Sequence, residues 1–372
     1  MKILILSSSK LEKDPRILRQ IRALKDDHDL ITCGLSNSGI HGLTAEYPIL
    51  FRPSKNQPFI KRVHNFLKMK AGMYENLTWD SEVIRTLDTH LYDCIIVNDP
   101  REMPLAVELQ KGLSKQAKIY FDLHEWFIEL DNHEYINKIF RTLIDKYYTK
   151  ADEWSTVNIE LAELYAERYS NKPKVVTNAG AFWDLQPSLI DTNQIKIVHH
   201  GILNPTRKLE EMIRLMDLLD DRFSLDLYLV GTDDSYLKEL VTMANKAKVR
   251  FLPPVKYDDI VPTLNGYDIG LFILQEDVVS YKYALPNKLF EFIQGRLAVA
   301  ISPNISMKKV VEKYKLGIVG DDFSAESLAD KLNELSAGDI NEMKNKSHSA
   351  ASKLNDEIGI KLIKQIVSSF DN

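Results

Sequence analysis

Short, almost wholly apolar runs alternate with segments of helical periodicity along this chain, and the alternation starts twice. Lys2–Leu6, Leu30–Gly34, Cys94–Val97, Ile119–Asp122, Glu153–Val157 and Lys174–Asn178 read as strands. Between them Pro15–Leu24, Ser81–His90, Met103–Gly112, Tyr135–Tyr148 and Ile159–Arg168 read as helices. Strands that are apolar on both faces need cover on both faces, which is the condition of a parallel sheet between helical layers. The pattern begins afresh at Ile195–His199 and continues through Leu225–Val230, Val249–Pro254, Ile269–Ile273 and Leu297–Ser302. Helices are expected there over Leu209–Leu219, Lys308–Tyr314, Leu328–Leu335 and Glu357–Phe370. Ala179–Asn193, with Gly180 and Pro187 and few periodic apolar residues, reads as the link between the halves. A length of 372 residues suits two such domains better than one.

Composition removes several classes of function. A formal net charge of −5 argues against a general nucleic-acid binder. No apolar run approaches the roughly 18 residues that span a bilayer. The chain opens on a strand rather than on a charged region, apolar core and cleavage site, so a cytoplasmic protein is expected. Cys33 and Cys94 lie in apolar strands and read as reduced packing residues, not as a disulfide or metal site. His124-Glu125 and His133-Glu134 lack the spacing of a zinc-binding helix, and no Asp-x-Asp stands on a loop suited to a metal. No Gly-x-Gly-x-x-Gly follows the first strand, which disfavours an ordinary dinucleotide site.

The chemistry concentrates in Tyr281–Gly295. Pro286 suits a first helical position, and Leu289, Phe290 and Ile293 then repeat at helical spacing. Asn287, Lys288 and Glu291 remain as polar groups at the start of that helix. A helix N-terminus at the carboxyl end of a strand favours an anion, Lys288 adds charge, and Glu291 can accept from sugar hydroxyls. The same residues also describe an ordinary surface helix. Gly201 follows the first strand of this half, and Arg207 and Lys208 open its next helix, an arrangement suited to a diphosphate. In the first half Asp14-Pro15 marks a capped helix start, with Arg16 either at a cleft or solvated. Asp99 and His124 stand just past strand ends, where His124 suits proton work.

Leu285-Pro-Asn-Lys-Leu-Phe-Glu-Phe-Ile-Gln-Gly295, followed by Leu297–Ser302, is similar to the donor-site signature of GT-B glycosyltransferases. The resemblance is to the retaining, family-four (group 1) enzymes of bacterial surface polysaccharide synthesis. That family often carries two glutamates; Glu291 matches the second, and Tyr283 stands at the first. The resemblance implies two Rossmann-like α/β domains facing across a cleft, with the last helix returning to the first domain. The boundaries expected are 1–182 for the acceptor-side domain, 183–194 for the linker, 195–355 for the donor domain and 356–372 for the returning helix.

The implied activity is transfer of a sugar from a UDP- or GDP-linked donor to a hydroxyl of a glycan or lipid-linked acceptor. The nucleotide sugar is a co-substrate, and no metal or other cofactor is implied. Gly201, Arg207, Lys208, Pro254, Asn287, Lys288, Leu289 and Glu291 would hold the donor. His124 and Asp99 would lie near the reacting sugar and Arg16 on the acceptor side. Without a clear protein nucleophile, front-face attack assisted by the departing phosphate is what the family implies. A nucleotide-sugar 2-epimerase and a non-catalytic nucleotide-sugar-binding subunit stay open beside it.

Arg52–Lys70 is basic, with Lys61, Arg62, Lys68 and Lys70 beside an apolar stripe of Phe59, Ile60, Val63, Phe66 and Leu67. Such a helix either packs on its domain or lies on anionic lipid, which would place the protein peripherally on the inner membrane face.

Overall fold

The computed structural model describes residues 1–48, 81–130 and 133–371. They form two units, Met1–Thr177 with Glu357–Asn372, and Asn178–Asp356. In the first unit the elements are β1 (Lys2–Leu6), α1 (Pro15–Leu24), β2 (Asp29–Gly34), β3 (Ala45–Pro48), α2 (Ser81–Leu87), β4 (Cys94–Val97), α3 (Met103–Leu109), β5 (Lys118–Asp122), α4 (Glu134–Tyr147), β6 (Glu153–Thr156), α5 (Ile159–Tyr169) and β7 (Lys174–Val175). The strands pair in parallel in the order β3-β2-β1-β4-β5-β6-β7. Cys94–Val97 is buried throughout, as a strand covered on both faces must be. Burial pushes the thiols of Cys33 and Cys94 far above their ordinary range, and both cysteines are free.

Helix α1 starts where its sequence dictates. The Asp14 carboxylate accepts from the Arg16 and Ile17 amides, and Pro15 occupies the first helical position. Its apolar face, Ile17, Ile21 and Leu24, shares a core with Ile363, Ile366 and Val367 of the C-terminal helix α14 (Glu357–Ser368). Lys364 closes that packing on Asp27 at 2.7 Å.

The second unit runs β8 (Ile195–Ile202), α6 (Glu210–Leu218), β9 (Phe223–Val230), α7 (Asp234–Met243), β10 (Val249–Leu252), α8 (Ile260–Leu264), β11 (Ile269–Phe272), α9 (Val279–Lys282), α10 (Asn287–Gln294), β12 (Ala298–Ile301), α11 (Ile305–Tyr314), β13 (Gly317–Val319), α12 (Ala325–Glu334) and α13 (Ala337–Ala351). Its parallel order is β10-β9-β8-β11-β12-β13. Residues ahead of β8 are tied to this unit: Asn178 donates to Leu285 O, Trp183 N to Gln294 Oε1, and the buried Arg296 to the Leu185 and Trp183 carbonyls.

Several expectations shift. His200, Gly201 and Ile202 continue β8 instead of forming a loop, because β9 pairs with β8 along its whole length. Only Lys174–Val175 of the expected closing strand is strand. Pro286 caps α10 from an extended conformation, and the helix begins at Asn287. Arg207 and Lys208 precede α6 in a separate 3-10 turn.

Gly317 opens β13 against Val299 of β12, and a Cβ there would fall 1.8 Å from the Val299 carbonyl oxygen. That backbone is held in the sheet, so β13 must move. Gly317→Ala is expected to cost the second unit about 3 kcal/mol. A lowered melting temperature checks this, and an unchanged one would mean that β13 does not pair as described.

Candidate functional site

In the second sheet the chain changes direction between β8 and β11, the point at which open α/β sheets bind ligands beyond their carboxyl ends. There β11 pairs with β8 only at Ile197 and Val198, so His199-His200-Gly201-Ile202 parts from it. Helix α10 begins beside this edge, with Leu289, Phe290, Phe292 and Ile293 in the core. Its first-turn amides have no intrahelical carbonyl to bond, and they carry the positive end of the helix dipole.

Lys288 reaches across this edge. Its Nζ lies 4.6 Å from the Phe272 ring centroid and 2.8 Å from where a Cβ on Gly201 would stand. A glycine at 201 is therefore what lets the ammonium lie against the β8 backbone. Burial, and then the neighbouring Arg207, lower the Lys288 pKa to about 8, while Glu291 pulls the other way. Glu291 Oε2 approaches His200 Nε2 at 3.2 Å, without the alignment of a hydrogen bond. The His200 ring meets Phe292 edge-on at 5.8 Å.

Beneath them His199 is buried, with Nδ1 2.9 Å from the Leu271 carbonyl. A carbonyl only accepts, so Nδ1 carries the proton. Burial, and then Lys288, hold the His199 pKa well below its ordinary value, so the ring is neutral and Nε2 bears a lone pair.

The expected donor residues do not all converge. Arg207 lies in the turn Pro205–Arg207, which Asn204 caps, and its guanidinium stacks 4.5 Å from the Tyr281 ring centroid. Lys208, left-handed at φ 47°, instead turns to Asp277 at 2.8 Å. Asn287 stands on the first turn of α10. The Leu289 side chain is in the core, so only its backbone is available to a ligand. Pro254 is exposed beyond β10.

In the first unit the corresponding edge is a polar network. Asp99 caps the turn after β4 and receives Arg101 Nε at 2.8 Å and Ser8 Oγ at 3.1 Å. Burial alone would raise its pKa, but the Arg101 guanidinium holds it below the usual carboxylate range. His124 stands edge-on to Phe127 at 5.4 Å, and its buried Nδ1 has no protein partner. Arg16 is not solvated: it is 6% exposed and grips Asp122 through Nε at 2.5 Å and Nη2 at 2.6 Å. Gln20 and Ser155 complete the shell of Asp122 at 2.9 and 2.6 Å. Glu102 is fully buried, and burial, then Asp99, raise its pKa well above the ordinary value.

His199, Asp122 and Glu102 carry no pattern that singles them out in sequence; each becomes conspicuous only as a buried polar group. Lys61, Arg62, Lys68 and Lys70 lie outside the described residues. Among the described residues no cluster of three or more His, Cys, Asp or Glu is placed to hold a metal ion, and no helix is long and apolar enough to cross a membrane.

Residues 184–353 match the family model described as Glycosyl transferases group 1. No curated protein sequence matches the chain. Among solved structures, HepE of Anabaena in complex with UDP and glucose superimposes with a TM-score of 0.73 at 15% identity, covering 99% of this chain and 100% of its own. A UDP-forming α,α-trehalose-phosphate synthase from Burkholderia vietnamiensis gives 0.67 at 11%, covering 100% and 99%. A point mutant of TarM from S. aureus, in complex with UDP, fondaparinux and α-GlcNAc-glycerol, gives 0.62 at 12%, covering 78% and 58%. At such identities the likeness concerns the fold, which is GT-B. The chain thus has the GT-B fold, and its second unit carries a region that matches the glycosyl transferases group 1 model.

Proposed function

We propose that this chain is a retaining hexosyltransferase that takes its sugar from a UDP-linked donor and passes it to a hydroxyl of a glycan or lipid-linked acceptor. The observation that carries the donor side is Lys288 laid against Gly201 at the carboxyl edge of the second sheet, with Arg207 close enough to depress its pKa. Two cations and the start of α10 suit a diphosphate, whose charge they would meet as it leaves. Uridine is favoured over guanosine because HepE and TarM were crystallised with UDP and the trehalose-phosphate synthase is UDP-forming.

In the proposed reaction the bond from the anomeric carbon to the β-phosphate oxygen breaks. The acceptor oxygen bonds to the same face of the sugar, and its proton passes to the departing phosphate. No protein nucleophile is required. Asp99 and His124 belong to this proposal as groups near the reacting sugar, with Arg16 supporting that edge from within.

Glu291, its side chain 12% exposed, is assigned to the ribose hydroxyls. Removing a charged acceptor of this kind costs about a tenfold to thirtyfold loss of affinity. Calorimetric titration with UDP and GDP, on the parent and on Glu291→Ala, measures it. Unchanged UDP affinity in Glu291→Ala would take Glu291 out of the site. No binding of either nucleotide to the parent would put a partner-subunit role ahead of catalysis.

A further inference from the structure

The least expected group at this edge is His199, an imidazole 1% exposed at the point where β8 parts from β11. One of its nitrogens is accounted for, since Nδ1–H donates to the Leu271 carbonyl at 2.9 Å. The ring lies nearly parallel to Phe272, with centroids 5.7 Å apart and planes 21° apart. Lys288 Nζ sits 4.6 Å from that same Phe272 ring centroid. The other nitrogen, Nε2, would be 3.4 Å from a Cβ on Gly201, and Lys288 Nζ 2.8 Å from it. The lone pair of Nε2 and the ammonium therefore both border the space that a side chain at 201 would fill.

Packing alone does not ask for this residue. An apolar ring would fill the same space and stack on Phe272 without bringing a buried polar atom beside a cation. The other charged and titratable groups near Lys288 are Arg207, which repels it, Glu291, which attracts it, and His200 at the strand end. Between Arg207 and Glu291 the ammonium has a choice of directions, and a flexible lysine stem does not make that choice by itself.

We propose that His199 is a positioning residue for Lys288, its unprotonated Nε2 serving as the internal acceptor that keeps the ammonium over Gly201 and aimed at the donor diphosphate. The bond from Nδ1 to Leu271 fixes the tautomer that leaves Nε2 free to accept. The inference rests on the reading of this edge as the nucleotide site.

The test separates the two nitrogens and separates this inference from that reading. Asn at 199 can keep the bond to Leu271 but has no atom at Nε2, whereas Gln can place an acceptor near Nε2 and gives up the Leu271 bond. UDP affinity is measured by calorimetry for Lys288→Met, His199→Asn and His199→Gln, and for His199→Asn combined with Lys288→Met. His199→Asn is expected to lose about tenfold in affinity, the scale of one hydrogen bond to a charged group, and His199→Gln to stay within about threefold of the parent. In the Lys288→Met background His199→Asn is expected to cost nothing further. Parent-like UDP binding by His199→Asn, or an undiminished loss in the Lys288→Met background, would overturn the positioning role. Parent-like binding by Lys288→Met itself would overturn the nucleotide assignment, and this inference with it. Thermal melts of all four variants identify any loss that comes from unfolding. If His199→Asn does not fold, the Gln variant decides: a tenfold loss there, carried undiminished into Lys288→Met, overturns the proposal.

Discussion

Asp122→Ala is expected to cost the first unit about 3–5 kcal/mol, the scale for breaking a buried ion pair from one side. Asp122 is fully buried and takes both prongs of the Arg16 guanidinium, with Gln20 Nε2 and Ser155 Oγ on the same two oxygens. Gln20 keeps Asn98 at 2.7 Å and Ser155 keeps Tyr120 at 2.6 Å, so the loss falls mainly on Arg16, left charged among buried groups. The double replacement Arg16→Met with Asp122→Leu removes both charges together and should recover much of the loss, since a buried pair contributes little over an apolar equivalent. Denaturant melts of the three variants measure the difference. If Asp122→Ala melts with the parent, the pair does not hold this edge together.

The same pair predicts the acid response. Burial would raise the Asp122 pKa, but Arg16 draws it below the ordinary carboxylate value. The stabilisation is thus present in full above the unfolded value of about 3.9 and is lost as pH falls through the lower, folded one. Acid unfolding of the parent should carry this step, and the double variant should lack it.

Lys288→Met should lower turnover by roughly 100-fold or more, the scale for removing one preorganised group that meets developing negative charge. Methionine keeps the unbranched stem beside Phe272 and Gly201, so the change is chiefly of charge. Assay with the UDP-sugar that proves to be the donor gives the number, and a loss under threefold would remove Lys288 from the leaving-group site.

The depressed pKa supplies an independent signature. With a folded value of about 8 and an ordinary one of 10.5, the unfolded chain holds a proton across that window that the fold does not. Stability of the free protein therefore rises with pH through it. A bound diphosphate favours the charged ammonium and reverses the balance. UDP binding should take up a fraction of a proton near pH 8 and weaken at higher pH. Calorimetry in buffers of differing ionisation heat would show the uptake in the parent and its absence in Lys288→Met.

Much of the architecture was legible because its causes are local or periodic. Cys94–Val97 has no polar face, so it could only be a strand covered on both sides. Asp14-Pro15 carries its own start signal, and α1 begins there. Helix α13 was missed for the opposite reason: the face it buries includes Lys344 and Ser347, so no apolar stripe marks it. Lys344 is held there by Asp268 at 2.9 Å and by Ser188, partners 76 and 156 positions away.

The site divides along the same line. Lys288 and Glu291 stand on one helix beside a capping proline, and that they share a helix can be read from spacing alone. Arg207 and Lys208 are adjacent in sequence, yet a left-handed Lys208 sends one to Tyr281 and the other to Asp277. Backbone sign at one residue decides that, and no charge pattern encodes it.

By itself the sequence determined the two parallel sheets and the helix that carries Lys288 and Glu291, because hydrophobic periodicity and turn chemistry act over a few residues. Only the tertiary structure decided which charges are paired and which are presented: Arg16 is consumed by Asp122, while Lys288 is brought over Gly201 beside the Phe272 ring. Those pairings join residues from different strands and helices, and the burial that makes them matter exists only once the sheets have closed around them.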